Sequence, residues 1–222
     1  MNFQADGVSG AGLPVHEQVY RRLRDMILFG ELAPGQAVTI QGLVDQLGSG
    51  MTPVREALRR LTAEGALEAL GNRRIVVPVL TVKAVKELTG ARVALEPLLA
   101  QRAAEQIDEA AIAQLAQTDE RLDRAIAQGD IGLYLKENHL FHSQLNGCAE
   151  APILTSLVDG LWLRFGPSLR MVCGQVGTRN VPDRHKDLLE ALRDRNVEAA
   201  GRAIADDAVQ GMHLIKQGLT GG

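Results

Sequence analysis

The stretch Met51–Leu61, "MTPVREALRRL", decides how the N-terminal part of the chain is interpreted. Its apolar residues recur at the spacing of one helix face, and they are Val54, Leu58 and Leu61. Arg55 and Arg59 lie four residues apart on the opposite face. This pattern predicts an amphipathic helix. Its charged face is either an ordinary solvated surface or a surface that lies in a groove of DNA.

The start of this helix carries the residues that a DNA-reading helix needs. Thr52 is expected to be the N-cap, and Pro53 is expected at the first helical position, where no N–H partner is required. The free N–H groups of this first turn can bind a phosphate. Arg55 would lie in the first turn, where a guanidinium can bind guanine O6 and N7. Arg59 would follow one turn later and contact a base or a phosphate.

Two shorter helical segments precede this stretch. Residues 15–32 have apolar residues at helical spacing and end at glycine and proline turn signals. Residues 39–48 predict a second helix, with Thr39 as its N-cap and Gly48 as its C-terminal stop. The turn before the third helix is only three residues long, as in a helix-turn-helix.

A predicted β-hairpin follows the third helix. Apolar runs at Ala66–Leu70 and Ile75–Val79 flank a polar Gly-Asn-Arg-Arg segment. Arg73 and Arg74 at its tip are expected to contact the DNA backbone or the minor groove. Three helices followed by a hairpin predict a winged helix-turn-helix.

From Thr81 onward the pattern is helical throughout. About six amphipathic segments predict an all-α bundle around one core, and the fold class is therefore mainly α. The expected organisation is a flexible tail at residues 1–13, a winged helix-turn-helix domain at 14–80 and a helical domain at 81–222.

Composition excludes several classes of protein. The 222 residues are 45% hydrophobic and 23% charged with a net charge of -3, which is typical of a globular protein and argues against nonspecific coating of nucleic acid. Residues 1–80 hold eight basic and eight acidic residues, so any positive patch there depends on their arrangement. Cys148 and Cys173 lack the spacing of a disulfide framework or a zinc motif. We expect a cytoplasmic protein, because no signal peptide or membrane-spanning run is apparent.

The segments "VYRRLRDMILFGELAPGQ", "LVDQLG" and "TPVREALRRLTAEGALE" resemble the DNA-binding domain of GntR-family transcription regulators. The later segments "GARVALEPLLAQRAAE", "ENHLFH" and "RHKDLLEALRDRNVEAA" resemble the FCD-type effector domain of the FadR-like branch. This resemblance covers about residues 15 to 217. It implies a homodimer that binds a palindromic operator and responds to a small metabolite.

One turn departs from the family pattern. The family usually has Val-Ser-Arg before Thr-Pro, and this chain has Ser49, Gly50 and Met51 there. In the family that arginine commonly contacts the operator, which Met51 cannot do. Thr52 and Arg55 match other DNA-contacting positions of the family.

A few polar residues stand out in the helical domain. Asn138 and His142 are four residues apart and therefore share a helix face, and His185 begins a later helix. From spacing alone, each histidine is either a hydrogen-bonded core residue or a ligand. The resemblance implies a divalent metal site (Zn, Ni or Mn) in which these three residues match the family ligands. The fourth family position is Asp207 here, and His213 is out of register.

Arg92 and Arg102 are the candidate effector-binding residues on the first long helix. In the family an arginine at the Arg92 position pairs with an effector carboxylate, which suits a bidentate guanidinium. The alternative for Arg92 is a structural pair with Glu96, four residues on. The predicted effector is a small carboxylate such as an organic or sugar acid.

The most favoured function is therefore a ligand-responsive DNA-binding regulator that is not an enzyme. One alternative is a metal-dependent helical-bundle enzyme that acts on a small organic acid. The motifs GxGxxG, HExxH and GxSxG are all absent from the sequence, which disfavours it. Another alternative is a scaffold protein in which the polar pocket is merely packed.

Overall fold

The computed structural model describes residues 12–71, 74–177 and 184–220, and it is mainly helical. The N-terminal part forms a winged helix-turn-helix, which confirms the predicted fold class. Its elements in chain order are α1 (Val15–Leu28), β1 (Ala37–Val38), α2 (Ile40–Leu47), α3 (Met51–Ala63), β2 (Glu68–Leu70) and β3 (Arg74–Val76).

The wing is a three-stranded antiparallel sheet with the order β1-β3-β2. Strand β1, which the sequence did not reveal, pairs Ala37 with Val76 and Val38 with Ile75. Two residues are too few to show the alternation that identifies a strand, so only the tertiary pairing defines it. Strands β2 and β3 are each shorter than the apolar runs suggested.

The helix caps agree with the sequence in α2 and differ in α3. The hydroxyl of Thr39 accepts a hydrogen bond from the Gly42 N–H at 3.0 Å, and Gly48 ends α2 with φ at 60°. The N-cap of α3 is Gly50, not Thr52, because α3 already begins at Met51. Pro53 is thus the third helical residue. It is tolerated there because the first N–H groups of a helix have no intrahelical acceptor.

The α3 residues expected to pack inward do so. Val54, Leu58 and Leu61 are each at most 2% exposed, and they lie in one core with Leu23 and Ile27 of α1. The opposite face of α3 is thereby left toward solvent.

The C-terminal part is a bundle whose described residues form six helices, as expected from the sequence. They are α4 (Val82–Gln106), α5 (Glu109–Gln128), α6 (Ile131–Cys148), α7 (Pro152–Val176), α8 (His185–Arg193) and α9 (Val197–Thr220). Helix α4 packs most extensively against α9, and α5 packs against α6 and α8. Pro97 lies inside α4 without ending it.

Helix α7 joins the bundle to the winged helix-turn-helix. The backbone of Gly166 lies so close to the carbonyl oxygen of Leu28, at the end of α1, that a side chain would collide with it. Arg164 Nη2 donates a hydrogen bond to the carbonyl oxygen of Glu64 at 3.1 Å. Beside this contact lies an open cleft of about 1030 Å³ between α1 and α3 on one side and α6 and α7 on the other.

Within the described ranges, none of the helices is both long enough and apolar enough to cross a membrane.

Candidate functional site

The arginines of α3 divide into two groups. Arg55 and Arg59 are exposed, and neither forms an ion pair with a residue in the described part of the chain. Arg60 is held in place by Glu17 and Glu64, each 3.1 Å from its guanidinium, and it lies 3.5 Å from the centre of the Tyr20 ring. Among the residues that the structure describes, Arg55 and Arg59 therefore present guanidinium groups without ion pairs on the outer face of α3.

Tyr20 and Glu64 fix the position of α3 against α1. The Tyr20 hydroxyl donates to the Glu64 carboxylate at 2.9 Å. Burial, together with this hydrogen bond, raises the pKa of Tyr20 to about 12. This contact therefore holds the arginine-bearing helix α3 against α1.

The other candidate DNA-binding residues lie at the start of α3 and in the wing. Thr52 is exposed and Pro53 is half-buried. Arg74 is exposed on β3, whereas Arg73 lies outside the described residues. Met51 is 46% exposed at the first position of α3, where the family pattern has an arginine.

The second candidate site is a His/His/Asp cluster in the helical bundle. His142 Nε2 lies 3.3 Å from Asp207 Oδ2 and 3.3 Å from His185 Nε2. One ligand atom of each residue lies within 4.8 Å of the others. Helices α6, α8 and α9 each contribute one residue, so the cluster forms only when the bundle folds.

Two separations between these donor atoms match those around a tetrahedral metal ion. A tetrahedral ion with bonds of about 2.0 to 2.1 Å holds neighbouring ligand atoms about 3.3 Å apart. Two of the donor separations in the cluster have this value. Two imidazole nitrogens and a carboxylate oxygen suit Zn, Ni or Mn. Asn138 lines the same cavity one helical turn before His142 and can add a weaker oxygen ligand.

Asp207 is suited to remain charged in this setting. Burial opposes its ionisation, but the hydrogen bond from His142 and the charges of His142, His185 and Arg92 hold its pKa well below the usual range. A carboxylate that stays ionised among two histidines and an arginine is a ready cation ligand.

The cluster borders a small cavity of about 30 Å³. Its polar and aromatic lining includes Arg92, Tyr134, Asn138, Trp162, His185 and Asp207. This volume is about that of one water molecule. A bound organic acid therefore requires outward movement of some lining side chains.

Arg92 forms the structural pair that was one of its two alternatives. Its Nε and Nη2 atoms donate to Glu96 at 2.6 and 2.9 Å, and both side chains are almost fully buried. The guanidinium lies 4.4 Å from the ring centre of Phe165 and 5.3 Å from that of Trp162. Burial opposes its charge, but Glu96 raises the pKa of Arg92 above its ordinary value. Its Nη1 atom is directed toward Gly211 of α9, which lines the same cavity as Arg92.

Arg102, the second candidate effector-binding residue, is exposed on α4. It is not among the described residues that line this cavity. Arg102 follows Arg92 by ten residues on the same helix. At about 100° per residue, the two side chains point about 80° apart around the helix axis. The two arginines therefore face different directions.

Asp119 and Trp162 are the residues that sequence reasoning missed. Asp119 accepts a hydrogen bond from His185 Nδ1 at 3.2 Å, and the Trp162 ring lies 5.0 Å from that of His142. Asp119 did carry a signal, because it lies on the apolar face of α5 between Leu115 and Leu122, and it is only 4% exposed. A charged residue on a buried face requires a partner.

Trp162 also connects the cluster to the DNA-binding part. Its ring lies 5.2 Å from that of His139, which in turn lies 5.8 Å from the Phe29 ring at the end of α1. Burial, with the charges of Arg24 and His142, lowers the pKa of His139 to about 3. A chain of edge-to-face aromatic contacts therefore runs from the cavity to the winged helix-turn-helix.

Comparison with known protein families gives two matches. Residues 15–77 match the family described as bacterial regulatory proteins, gntR family, and residues 87–208 match the FCD domain. The second match alone covers more than half of the chain.

Individual relatives span nearly the whole chain. The HTH-type transcriptional regulator McbR of Escherichia coli (strain K12) is 28% identical over 203 residues, which are 90% of this chain and 92% of the relative. The HTH-type transcriptional repressor RspR of the same organism is 25% identical over 205 residues, 92% of this chain and 90% of the relative. The solved structure of E. coli McbR/YncC superposes with a TM-score of 0.88, covering 93% of this chain and 99% of that one.

Proposed function

Because the chain belongs to the GntR family of bacterial regulatory proteins and carries an FCD domain, we propose how it binds its operator and its effector. A homodimer binds a palindromic DNA site through α3 of each protomer. A small carboxylate, together with a divalent metal, occupies the cavity of the helical bundle and modulates this binding. Residues 14–80 form the DNA-binding domain, and residues 81–222 form the effector-binding and dimerisation domain.

The observation that supports the DNA-binding mode is the division among the α3 arginines. Arg60 is engaged by two carboxylates and a tyrosine ring, whereas Arg55 and Arg59 are exposed and lack ion pairs among the described residues. Helix-turn-helix proteins place the N-terminal part of this helix against base edges in the major groove. Arg55 is therefore the main base-contacting residue, and Arg59 and Arg74 contact the backbone or a neighbouring base.

Replacement of Arg55 by alanine is expected to relax base preference at one position of each half-site by about 1 to 3 kcal/mol. A guanidinium that donates two hydrogen bonds to guanine distinguishes it from other bases, and alanine cannot. Gel-shift titrations against an operator and its single-base variants measure this effect.

The matched control for that experiment is Arg102→Ala. Arg102 is also an exposed helix arginine, but it lies on α4 in the helical domain. We expect the Arg102→Ala variant to have the same base preference as the wild type. Equal operator binding and base preference in wild type and Arg55→Ala would contradict the docking mode proposed for α3.

Met51 is expected to lower the affinity for operator DNA. It is exposed at the first position of α3, and its thioether cannot donate a hydrogen bond to a phosphate or a base. The protein therefore uses fewer direct contacts at this position than relatives that have arginine there. The affinity for DNA comes instead from Thr52, from the free N–H groups of the first turn of α3, and from the arginines Arg55, Arg59 and Arg74.

The effector part of the proposal is supported by the cluster at the cavity. A divalent metal supplies a Lewis-acidic centre to which a carboxylate oxygen can bind. His142, His185 and Asp207, with Asn138, would hold that metal. Arg92 lines the same cavity, and its Nη1 atom is not used in the hydrogen bonds to Glu96. This guanidinium edge is suited to a second carboxylate oxygen of the ligand.

The enzyme and scaffold alternatives fare differently. The matched families and relatives are transcription regulators, and the chain is accordingly a regulator and not an enzyme. A scaffold role would not require exposed arginines without ion pairs on α3. It would also not require nitrogen and oxygen donor atoms at separations suited to a metal ion. These two features favour a ligand-responsive regulator over a scaffold.

A further inference from the structure

Asp119 lies behind the His/His/Asp cluster and touches only one of its members directly. Its Oδ1 atom is 3.2 Å from His185 Nδ1, while His185 Nε2 is directed at His142 Nε2, 3.3 Å away. Asp119 is 4% exposed and His185 is 2% exposed. This hydrogen bond is therefore shielded from competing water.

The contact with Asp119 determines which nitrogen of His185 carries the proton. An ionised carboxylate only accepts hydrogen bonds, so Nδ1 must be the donor. In neutral imidazole the other nitrogen then carries a lone pair. For His185 this nitrogen is Nε2, the atom within the cluster. The carboxylate thus leaves the correct nitrogen available to a metal.

Two further contacts restrict the histidine ring and the carboxylate. The Phe141 ring stacks on His185 with ring centres 3.8 Å apart and planes 13° from parallel. Lys186 Nζ lies 3.8 Å from the second oxygen of Asp119 and 3.0 Å from Asp123. The ring therefore has little freedom to rotate, and the carboxylate faces a cation on its outer side.

We propose that Asp119 is a positioning residue that orients His185 for binding a divalent cation at the His142, His185 and Asp207 cluster. This inference rests on the metal site of the proposed function. It adds a residue that does not touch the metal but fixes the tautomer and orientation of one ligand. Outer partners of this kind change metal affinity by about 10- to 100-fold when they are removed.

The test compares Asp119→Asn with Asp123→Asn in the full-length protein. Asp123 lies one turn further along α5, pairs with the same Lys186, and is half-exposed. Affinity for Zn²⁺ is measured by competition with a chelator, and the Co²⁺ absorption spectrum reports the coordination geometry. We expect Asp119→Asn to weaken Zn²⁺ binding by about 10- to 100-fold and to change the Co²⁺ spectrum. Asp123→Asn should leave both unchanged.

Each other result has a distinct meaning. If the wild type binds Zn²⁺ and Asp119→Asn binds it equally well with the same Co²⁺ spectrum, the role of Asp119 is overturned and the metal site stands. If the wild type binds no Zn²⁺ or Co²⁺, the metal part of the proposed function fails and this inference fails with it. An equal loss of Zn²⁺ affinity in both variants also overturns the inference. Both carboxylates contact Lys186, so the loss would then come from that shared contact and not from the hydrogen bond to His185.

A measurement on the wild type keeps the inference testable if Asp119→Asn does not fold. Nitrogen chemical shifts of His185 in the metal-free protein distinguish the two tautomers. We expect the proton on Nδ1, and a proton on Nε2 alone would contradict the inference.

Discussion

Replacement of Glu96 by leucine is expected to lower the free energy of unfolding by about 3 to 5 kcal/mol, because it leaves a buried guanidinium without its counter-charge. Arg92 is 2% exposed, and both of its hydrogen bonds to a carboxylate go to Glu96. Removing one partner of a buried ion pair costs far more than the net contribution of the pair. Chemical denaturation followed by circular dichroism measures the loss.

The double variant Arg92→Met, Glu96→Leu separates the structural role of the pair from effector binding. Replacing both partners by apolar residues of similar size is often neutral for stability. We therefore expect the double variant to recover most of the lost free energy but to lose stabilisation by small carboxylates in a thermal-shift measurement. If the double variant still responds to carboxylates like the wild type, Arg92 does not bind the effector. If Glu96→Leu alone is as stable as the wild type, the buried pair is wrongly placed.

Replacement of Gly166 by alanine is expected to disturb the junction between the two domains. A Cβ atom at this position would overlap the backbone carbonyl oxygen of Leu28, which cannot rotate away as a side chain can. Overpacking of this kind costs about 1 to 3 kcal/mol. We expect lower stability and a changed affinity for operator DNA, because α1 must move relative to α7.

Gly160→Ala is the matched control, since it changes another glycine of α7 that has open space around its Cβ position. Alanine is a better helix former than glycine by about 0.5 to 1 kcal/mol, so this control should be slightly stabilised. The two variants should therefore differ by about 1.5 to 4 kcal/mol in their free energies of unfolding. Equal stability and equal operator affinity of the two variants would show that α7 does not set the position of α1.

The sequence predicted the helices well because their apolar periodicity is a local property. The inward face of α3 and the two caps of α2 follow directly from residue type and spacing. The start of α3 was misplaced because threonine and proline are typical of several positions in a first turn. Strand β1 was missed because its two residues are defined only by pairing with β3.

The candidate site was only partly predictable for a similar reason. Asn138 and His142 could be placed on one face of α6 from their spacing, but the ligand role of His185 and the choice of Asp207 came from the family resemblance. Their meeting depends on how α8 and α9 pack, which spacing along the chain does not reveal. The ten-residue spacing of Arg92 and Arg102 already indicates that the two side chains point in different directions around α4. Asp119 was overlooked although a carboxylate on an apolar helix face indicates a buried partner.

Selection of bound DNA from a random-sequence pool tests the central claim most directly. The selection is made with the full-length protein, first alone and then with Zn²⁺ and a panel of small organic and sugar acids. We expect enrichment of an inverted repeat, and at least one acid should change the affinity for that repeat. Failure to enrich any inverted repeat would contradict the account of this chain as an operator-binding regulator.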